Sequence, residues 1–495
     1  MQDNVFPFSP LHGLTRRLRD LGQMLSTSEV LESLRACNEQ AARDLFGAIL
    51  ALYAFLEDSI SNPHPGSLFD GSGDTPLNTM RKEIARAYGV ETCYFGTTGT
   101  TGLNTPAVMA LAGEGEVVAV GRDCHVSVLA GLGLSGAKPV YLVSPFHSEF
   151  GVLLPPTRQE VAGLLTEHHE VRALVLTLPT YHGLMGDVEG IVAECRSRGV
   201  LFMVDEAHGP HYRFLRGLGF PMSAEEAGAD VVTQSTHKVM SALNQGSLLL
   251  LNNPLLSRRY EEVQAMGFQS TSFSYPILLS IEHAIQQMVT QGEERWRGAV
   301  DLAYRLRDEA GALPGIVALD KRVLDGERVL GFDPTRVTLN VRGTGFTGHE
   351  IADALLQEGY IVELDTPDVV LFLVGPGVTR DQVDGTLRAL RKLGRRKRSA
   401  EAFVPPPLPP QATTPRKAVM SAARERLPVD AAVGRVSAET IGCYPPGQAI
   451  LVAGELVTVE VVSYLKQAVA AGCHLKRVQD DGFQTIQVLL DSEPR

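Results

Sequence analysis

Residues 200–209 read VLFMVDEAHG, an unbroken apolar run that ends at Asp205. Five further short apolar runs lie between about Tyr94 and Asn252, interspersed with helical stretches: EVVAV, KPVYLV, RALVLTL, ADVVTQ and GSLLLL. Near-continuous apolar strands that alternate with helices are typical of a parallel sheet covered on both faces. The sequence therefore predicts an α/β fold with a mostly parallel central sheet, and ligands bound where the strands end.

The rest of the chain divides into segments of different character. Residues 1–70 carry apolar residues at helical spacing and are predicted to form an N-terminal helical arm, ahead of a large domain over residues 71–330. Residues 331–395 have the strand and helix patterns of a small α/β domain. The Pro-rich residues 396–417 are predicted to be a linker, and residues 418–495 a C-terminal domain with its own strands.

Composition narrows the function classes. The 495 residues include 45 Lys and Arg against 57 Asp and Glu, a net charge of −12 that disfavours nucleic-acid or anionic-membrane binding. The basic run RRKR at 395–398 fits solvated cations at a helix end better than a nucleic-acid patch. The six cysteines form no CxxC motif, which argues against a disulfide scaffold or a structural metal. The start has no apolar signal region, and no apolar stretch reaches the roughly 18 residues of a membrane span, so we predict a cytoplasmic protein that acts on small molecules.

Lys238 is the strongest single signal of chemistry. It follows the predicted strand ADVV and lies beside Ser235, Thr236 and His237 in the run STHK. Partial desolvation lowers the pKa of a lysine so that its amine can attack an aldehyde, and hydroxyl and imidazole groups can bind a phosphate. A lysine after a strand is more often an ordinary surface lysine, so this interpretation depends on three further features.

Two of these features are side chains that follow predicted strands. A carboxylate such as Asp205 at the end of an apolar strand needs a partner, which could be a protonated pyridine nitrogen, a metal or a ribose hydroxyl. Ala207, two residues on, is small enough to lie against a flat ring. His125, in GRDCHVSV after the strand EVVAV, could stack on such a ring or could be purely structural.

The third feature is the stretch FGTTGTTGLNTPAVMAL at 95–111, in which Gly and Thr lead into an apolar helix. Backbone N–H groups at a helix N-terminus bind phosphate. The spacing is neither GxGxxG nor a Walker loop, and a capped Gly-rich turn would look similar. Together, the phosphate-binding turn, the histidine, the aspartate and the lysine fit pyridoxal phosphate better than nicotinamide or ATP.

Eight motifs then occur in an order that resembles the Orn/Lys/Arg decarboxylase family, pyridoxal-phosphate enzymes with the aspartate-aminotransferase fold (fold type I). The motifs are GTTGTTG, DCHVSV, PTYHG, VDEAHG, STHK, LNQGS, TSFSYPILLSIE and VGRVSAETIGCYPPGQAILVAGE. The resemblance runs from about residue 75 to the C-terminus and is to the short form of the family, which lacks a receiver-like N-terminal domain.

The resemblance implies roles by position. Lys238 would form the internal aldimine, Asp205 would pair with the pyridinium and His125 would stack on the ring. Further cofactor-binding residues would be Thr97, Thr98, Gly99, Ser235 and His237 around the phosphate, and Ala207 and His208 near the ring. Thr271 matches the position that reaches a neighbouring subunit's cofactor, so a homodimer with shared active sites is implied.

The implied reaction is decarboxylation of arginine, lysine or ornithine through a quinonoid intermediate, to an amine and CO2, as in polyamine biosynthesis. Alternatives are transamination, oxygen-dependent oxidation or hydroxylation of an arginine-like substrate, or a non-catalytic scaffold. Glu439 and Glu455 are candidates for contacting a cationic substrate side chain, although each could be a solvated surface glutamate.

Two departures from the family pattern concern the substrate rather than the cofactor. The stretch SNPHPGSLFDGSGD stands where short-form members have a TPGHKGG-like segment, and Ala453 replaces the proline of a late PGE motif.

Overall fold

The computed structural model describes residues 76–269, 274–396, 403–444, 448–476 and 482–490. The predicted N-terminal arm, Thr271 and part of the predicted linker lie outside these residues. Within the described parts of the chain, no helix combines the length and the apolar character needed to cross a membrane.

Residues 76–269 alternate strands with helices, as the apolar runs predict. The elements are α1 (Pro76–Tyr88), β1 (Thr92–Gly96), α2 (Thr101–Leu111), β2 (Val117–Gly121), α3 (Val126–Ser135), β3 (Lys138–Leu142), β4 (Phe146–His147), β5 (Val152–Leu153), α4 (Arg158–Glu167), β6 (Val171–Thr177), β7 (Leu184–Met185), α5 (Val188–Ser197), β8 (Leu201–Asp205), β9 (Val231–Gln234), α6 (Thr236–Val239), β10 (Ser247–Leu251) and α7 (Pro254–Gln264).

Seven of these strands form the central sheet, in the order β1-β10-β9-β8-β6-β2-β3. The strands from β9 to β3 are parallel, whereas β10 is antiparallel to both β9 and β1. The mostly parallel sheet predicted from the sequence is therefore confirmed. Since β10 reverses the direction twice, β1 runs the same way as β9, and both strands end at the same edge of the sheet.

Alternate residues of each strand pack on opposite faces of this sheet. In β8, Phe202 and Val204 belong to the core on one face, and Met203 belongs to the core on the other. All three side chains are buried. Burial on both faces explains why the strands read as continuous apolar runs rather than as alternating ones.

A second sheet follows a long helix. The elements are α8 (Tyr275–Gly311), β11 (Val317–Ala318), β12 (Gly331–Phe332), β13 (Arg336–Asn340), α9 (Gly348–Gln357), β14 (Leu364–Asp365), β15 (Val369–Leu373) and α10 (Arg380–Leu393). Strands β11-β13-β15-β14 form an antiparallel sheet, and β12 pairs with β7. The run YIVELD at 360–365 forms only the short β14, and its first residue lies just after the end of α9, where the Tyr360 N–H donates to Leu355 O at 2.9 Å.

The C-terminal segment has its own small core. Its elements are α11 (Pro415–Met420), β16 (Arg424–Pro428), β17 (Ile441–Tyr444), β18 (Gln448–Leu451), α12 (Val459–Ala470), β19 (His474–Lys476) and β20 (Thr485–Leu489). Strand β16 pairs with β20, and β17 pairs with β18 and β19. The predicted strands QAILVAG and TIQVLL, with a helix between them, are thus present.

A buried ion pair joins this segment to the central sheet. Arg122, just after β2, donates from Nη1 and Nη2 to the two carboxylate oxygens of Glu455 at 2.6 and 2.8 Å. Arg122 Nη2 also donates to Ile450 O, and the Val452 N–H donates to Glu455 Oε2. Because both charges are buried, removing one partner leaves the other without compensation.

We expect Glu455→Ala to lower the free energy of unfolding by about 3–5 kcal/mol, the usual cost of an uncompensated buried charge. Urea unfolding followed by circular dichroism measures the change. Glu262→Ala is the control, because the ion pair of Glu262 with Arg258 is exposed and its loss should cost about 0.5 kcal/mol or less. Equal effects of the two substitutions would contradict the structural role of the Arg122–Glu455 pair.

Candidate active site

The candidate site lies at one edge of the central sheet, where β1, β2, β8 and β9 all end. The segments that follow Gly96, Gly121, Asp205 and Gln234 therefore lie side by side. They carry all the sequence-predicted site residues except Thr271, Glu439 and Glu455. The sheet topology thus brings together residues that are more than 100 positions apart in the chain.

Asp205 is the last residue of β8 and is buried. Its Oδ2 accepts a 2.8 Å hydrogen bond from Asn104 Nδ2, and its Oδ1 accepts from the Ala207 N–H at 3.2 Å. Asn104 lies in α2, and its own Oδ1 accepts from Thr233 Oγ1 at 2.6 Å. The Asp205 carboxylate is therefore held in one orientation by neutral donors, and it forms no ion pair with any residue that the structure describes.

His125 connects to Asp205 through two polar side chains. It caps the N-terminus of α3, where its Nδ1 accepts from the Ser127 N–H and lies 2.7 Å from Ser127 Oγ. Ser127 Oγ accepts from Asn104 Nδ2 at 3.1 Å. His125 itself is exposed, so the cap fixes the ring while leaving it accessible.

Lys238 lies in the single-turn helix α6, beyond the end of β9. Its Nζ is 3.0 Å from His208 Nε2. Desolvation lowers the pKa of the Lys238 ammonium; Arg336 acts in the same direction, whereas Asp205 and Glu363 oppose it. The lysine is nevertheless accessible to solvent, so this edge of the sheet presents an amine that loses its proton more readily than a surface lysine.

The Gly/Thr turn packs against the segment that carries Lys238. Thr100 Oγ1 lies 3.1 Å from Ser235 Oγ, and the Gly99 N–H donates to Gln245 O at 2.9 Å. Gly99 has φ +72°, and a Cβ there would lie 3.9 Å from His237 Cε1. Of the remaining predicted residues, Thr97 is buried, Thr98 is exposed, and His237 donates from Nδ1 to Gly246 O at 2.8 Å.

Three residues missed by the sequence analysis complete the site. Arg336, the first residue of β13, is fully buried and donates from Nη2 to His208 Nδ1 and from Nη1 to Tyr181 O, both at 2.8 Å. The Tyr181 ring lies 4.5 Å from the His208 ring, and its hydroxyl donates to Glu363 Oε1 at 3.2 Å. The motif PTYHG, which contains Tyr181, was the only sequence signal for this group.

A pair of buried carboxyl groups lies next to Asp205. Glu206 and Glu225 both contact Gln234 Nε2, at 2.6 and 3.3 Å. Burial raises the pKa of Glu206 well above its ordinary value, and the charge of Glu225 raises it further. Burial also raises the pKa of Glu225. The folded protein therefore retains a proton on this pair at pH values at which ordinary glutamates are ionised.

The two late glutamates do not lie at this edge of the sheet. Glu455 pairs with Arg122, as described above, and Glu439 Oε1 accepts from the Gln487 N–H at 2.7 Å in the C-terminal segment. These contacts give both carboxylates structural partners, and their predicted contact with substrate stays a prediction. Thr271 lies outside the described residues.

The sequence matches the models of one protein family. Residues 40–382 match the model for the major domain of the Orn/Lys/Arg decarboxylases, and residues 396–475 match the model for their C-terminal domain. The chain belongs to the Orn/Lys/Arg decarboxylase family. The predicted family is therefore confirmed, and so is the predicted enzyme class, a decarboxylase.

Individual relatives agree with the family models. This decarboxylase is 32% identical over 425 residues to an arginine decarboxylase of Halalkalibacterium halodurans, a match that covers 84% of this chain and 86% of the relative. Among solved structures, the lysine decarboxylase LdcF of Francisella novicida is similar with a TM-score of 0.73 at 20% identity, over 87% of this chain and 74% of that one. A serine palmitoyltransferase solved with PLP is similar with a TM-score of 0.51 at 18% identity, over 65% of this chain and 77% of that one. These structures confirm the fold-type-I class.

The Glu206–Glu225 pair should make stability depend on pH. Its raised pKa means that the folded state binds protons on this pair more tightly than the unfolded state, so the stability that the pair contributes is fully present below about pH 4.5 and is lost as pH rises. Glu225→Gln removes the like charge and should flatten this fall, by up to about 1.4 kcal/mol per pH unit. Urea unfolding at pH 5, 6, 7 and 8 measures the slope.

Glu226→Gln is the matched control for this experiment. Glu226 is the next residue along the chain and is exposed, so its substitution should leave the slope of the wild type unchanged. If the stability profiles of Glu225→Gln and the wild type run parallel, the pair does not share a retained proton.

Proposed function

We propose that this protein is a pyridoxal-phosphate-dependent decarboxylase of a basic amino acid, arginine, lysine or ornithine, that produces the amine and CO2. The observation that carries the proposal is the meeting of Lys238, with its lowered pKa, and the buried Asp205 at one edge of the sheet. The arginine decarboxylase and lysine decarboxylase relatives support the reaction and the substrate class.

The residues of this edge fit the cofactor. Asp205 is a buried carboxylate that neutral groups orient and that pairs with no described cation, which suits a protonated ring nitrogen. His125 is fixed at Nδ1 by Ser127 yet exposed, which suits stacking on a flat ring. Around the phosphate we place Thr97, Thr98, Gly99, Ser235 and His237, and we place Ala207 and His208 near the ring.

Each side chain has a defined task in the proposed reaction. Lys238 Nζ would hold the cofactor covalently through its aldehyde carbon and would release it to the substrate amine. Bound pyridoxal phosphate supplies an electron sink that accepts the electron pair left when the Cα–carboxylate bond breaks and CO2 departs. Asp205 would stabilise a positive charge on the ring nitrogen, and Lys238 Nζ or a nearby histidine would return a proton to Cα.

Glu363 is our candidate for recognising the substrate's distal cation. It is exposed, its Oε1 accepts from Tyr181 OH, and its charge opposes the lowering of the Lys238 pKa that desolvation causes. A carboxylate in this position can pair with the guanidinium or ammonium of a basic amino acid bound at Lys238. The predicted homodimer with shared active sites stays a prediction, because it depends on Thr271.

Product analysis tests the reaction. Purified protein supplied with pyridoxal phosphate and arginine, lysine or ornithine should release CO2 and the matching amine in equal amounts. A keto acid would indicate transamination, and peroxide would indicate oxidation; either outcome overturns the proposal. Lys238→Ala should abolish both the product and the absorbance band of the bound cofactor, whereas Lys138→Ala, at an exposed lysine of β3, should retain both.

Glu363→Gln should mainly raise KM. A hydrogen bond to a charged group contributes about 1.5–3 kcal/mol, so KM for the basic substrate should rise about 10- to 150-fold with a smaller change in kcat. Glu358→Gln is the control, because this exposed glutamate pairs with Lys392 instead. Similar KM values for both variants would remove Glu363 from the substrate site.

A further inference from the structure

Arg336 determines which nitrogen of His208 carries the proton. A guanidinium has only donors, and Arg336 Nη2 lies 2.8 Å from His208 Nδ1. Nδ1 must therefore accept, which rules out a proton on Nδ1 and hence the doubly protonated, charged ring. The imidazole is neutral and carries its proton on Nε2.

The same reasoning extends to Lys238. Its Nζ lies 3.0 Å from His208 Nε2, a distance at which one atom donates and the other accepts. Since Nε2 carries the proton, Nζ must supply the lone pair. An ammonium has no lone pair, so this arrangement selects the uncharged amine, which is the nucleophilic form of lysine.

The fold holds Arg336 firmly in this position. Its Nη1 donates to Tyr181 O, and its Nε lies 3.8 Å from Asp333 Oδ2. Asp333 is held in turn by the Thr335 N–H and hydroxyl and by His211. Gly183 leaves space for the Arg336 side chain, because a Cβ at this position, where φ is +85°, would come within 2.9 Å of Arg336 Cδ.

We propose that Arg336 is a positioning residue that locks His208 in the Nε2–H tautomer and thereby keeps Lys238 as a neutral amine. The role of the neutral amine in catalysis rests on the proposed function, whereas the hydrogen-bond pattern is independent of it. His208 is then a fixed donor and not an acid, because release of its Nε2 proton would leave an anionic ring. The neutral Nζ would hold the lone pair with which it attacks the aldehyde of the cofactor.

The charges around the pair agree with this arrangement. His208 is faced by Lys238 and His237 from α6, by Arg336 from β13 and by His125. Burial lowers the pKa of His208, and these charges lower it further. Lys238 is faced by Arg336, which lowers its pKa, and by Asp205 and Glu363, which raise it, while desolvation has the largest effect.

Nitrogen NMR of the full-length chain tests the tautomer directly. The protein is labelled with ¹⁵N-histidine, freed of aldehyde cofactor with hydroxylamine, and recorded by two-bond ¹H–¹⁵N correlation from pH 6 to 8. His208 is assigned by its loss in His208→Gln or by its proximity to the Tyr181 ring. We expect a protonated Nε2 and an unprotonated Nδ1 throughout; a proton on Nδ1, or titration within this range, overturns the proposal.

Arg336→Met should release the tautomer, so that the His208 signals shift toward a proton on Nδ1 or toward the charged ring. Arg307→Met is the matched control: Arg307 is also buried and donates to Leu319, Pro334 and Arg336 carbonyls, but it does not contact His208. An unchanged tautomer in folded Arg336→Met overturns the proposal. If Arg336→Met does not fold, the protonation of His208 Nδ1 and Nε2 in the wild-type spectrum tests the proposal.

The reactivity of Lys238 gives a second readout that requires neither substrate nor turnover. Reductive methylation with formaldehyde and cyanoborohydride, followed by mass analysis of the Lys238 peptide against Lys138, reports the fraction of neutral amine at each pH. Arg336→Met should lower the rate at pH 7 about tenfold for each unit by which the lysine pKa rises. A wild-type Lys238 that titrates like Lys138 would overturn the proposal, whereas a locked tautomer without CO2 release would count against the proposed function only.

Discussion

The hydrogen bond between Asn104 and Asp205 is the contact on which the site depends. A carboxylate buried at the end of a central strand is costly unless polar groups surround it. Asn104 supplies one donor and connects the carboxylate to Ser127 and Thr233, so that α2, α3, β8 and β9 converge on one acidic group. This network sets the direction of the carboxylate before any ligand binds, and it ties His125 to the same framework through Ser127.

Sequence analysis could locate Asp205, His125 and Lys238 because each lies at or just beyond the end of a strand that a continuous apolar run makes visible. The parallel sheet then brings these strand ends to one edge. Arg336 and Glu363 could not be located in this way. Their neighbours in the site, His208 and Tyr181, are 128 and 182 residues away in sequence, and only the packing of the second sheet against the first makes them adjacent.

Glu455 shows a second limit of sequence reasoning. The late motif that contains Glu455 predicted a substrate contact, which stays a prediction. Nothing in the sequence indicates the partner that the structure shows, Arg122, 333 residues earlier. The sequence around a glutamate does not show whether its carboxylate binds a ligand or pairs with an arginine that is distant in the chain. Asn104 gave a weak signal that could have been used: it is a polar residue within an otherwise apolar helix, and such a residue needs a buried partner.

Asp205 and Glu206 are adjacent in sequence and have opposite electrostatic surroundings. Asp205 points into the site, where it accepts from two N–H groups and faces the Lys238 amine. Glu206 points to the other side of β8, where Glu225 is a second carboxyl group and a proton is retained. Successive side chains of a strand point to opposite faces of the sheet. The charged Asp205 and the protonated Glu206 therefore lie on different faces although they are adjacent in sequence. Because the Glu206–Glu225 pair retains a proton, it places less negative charge next to the Asp205 carboxylate.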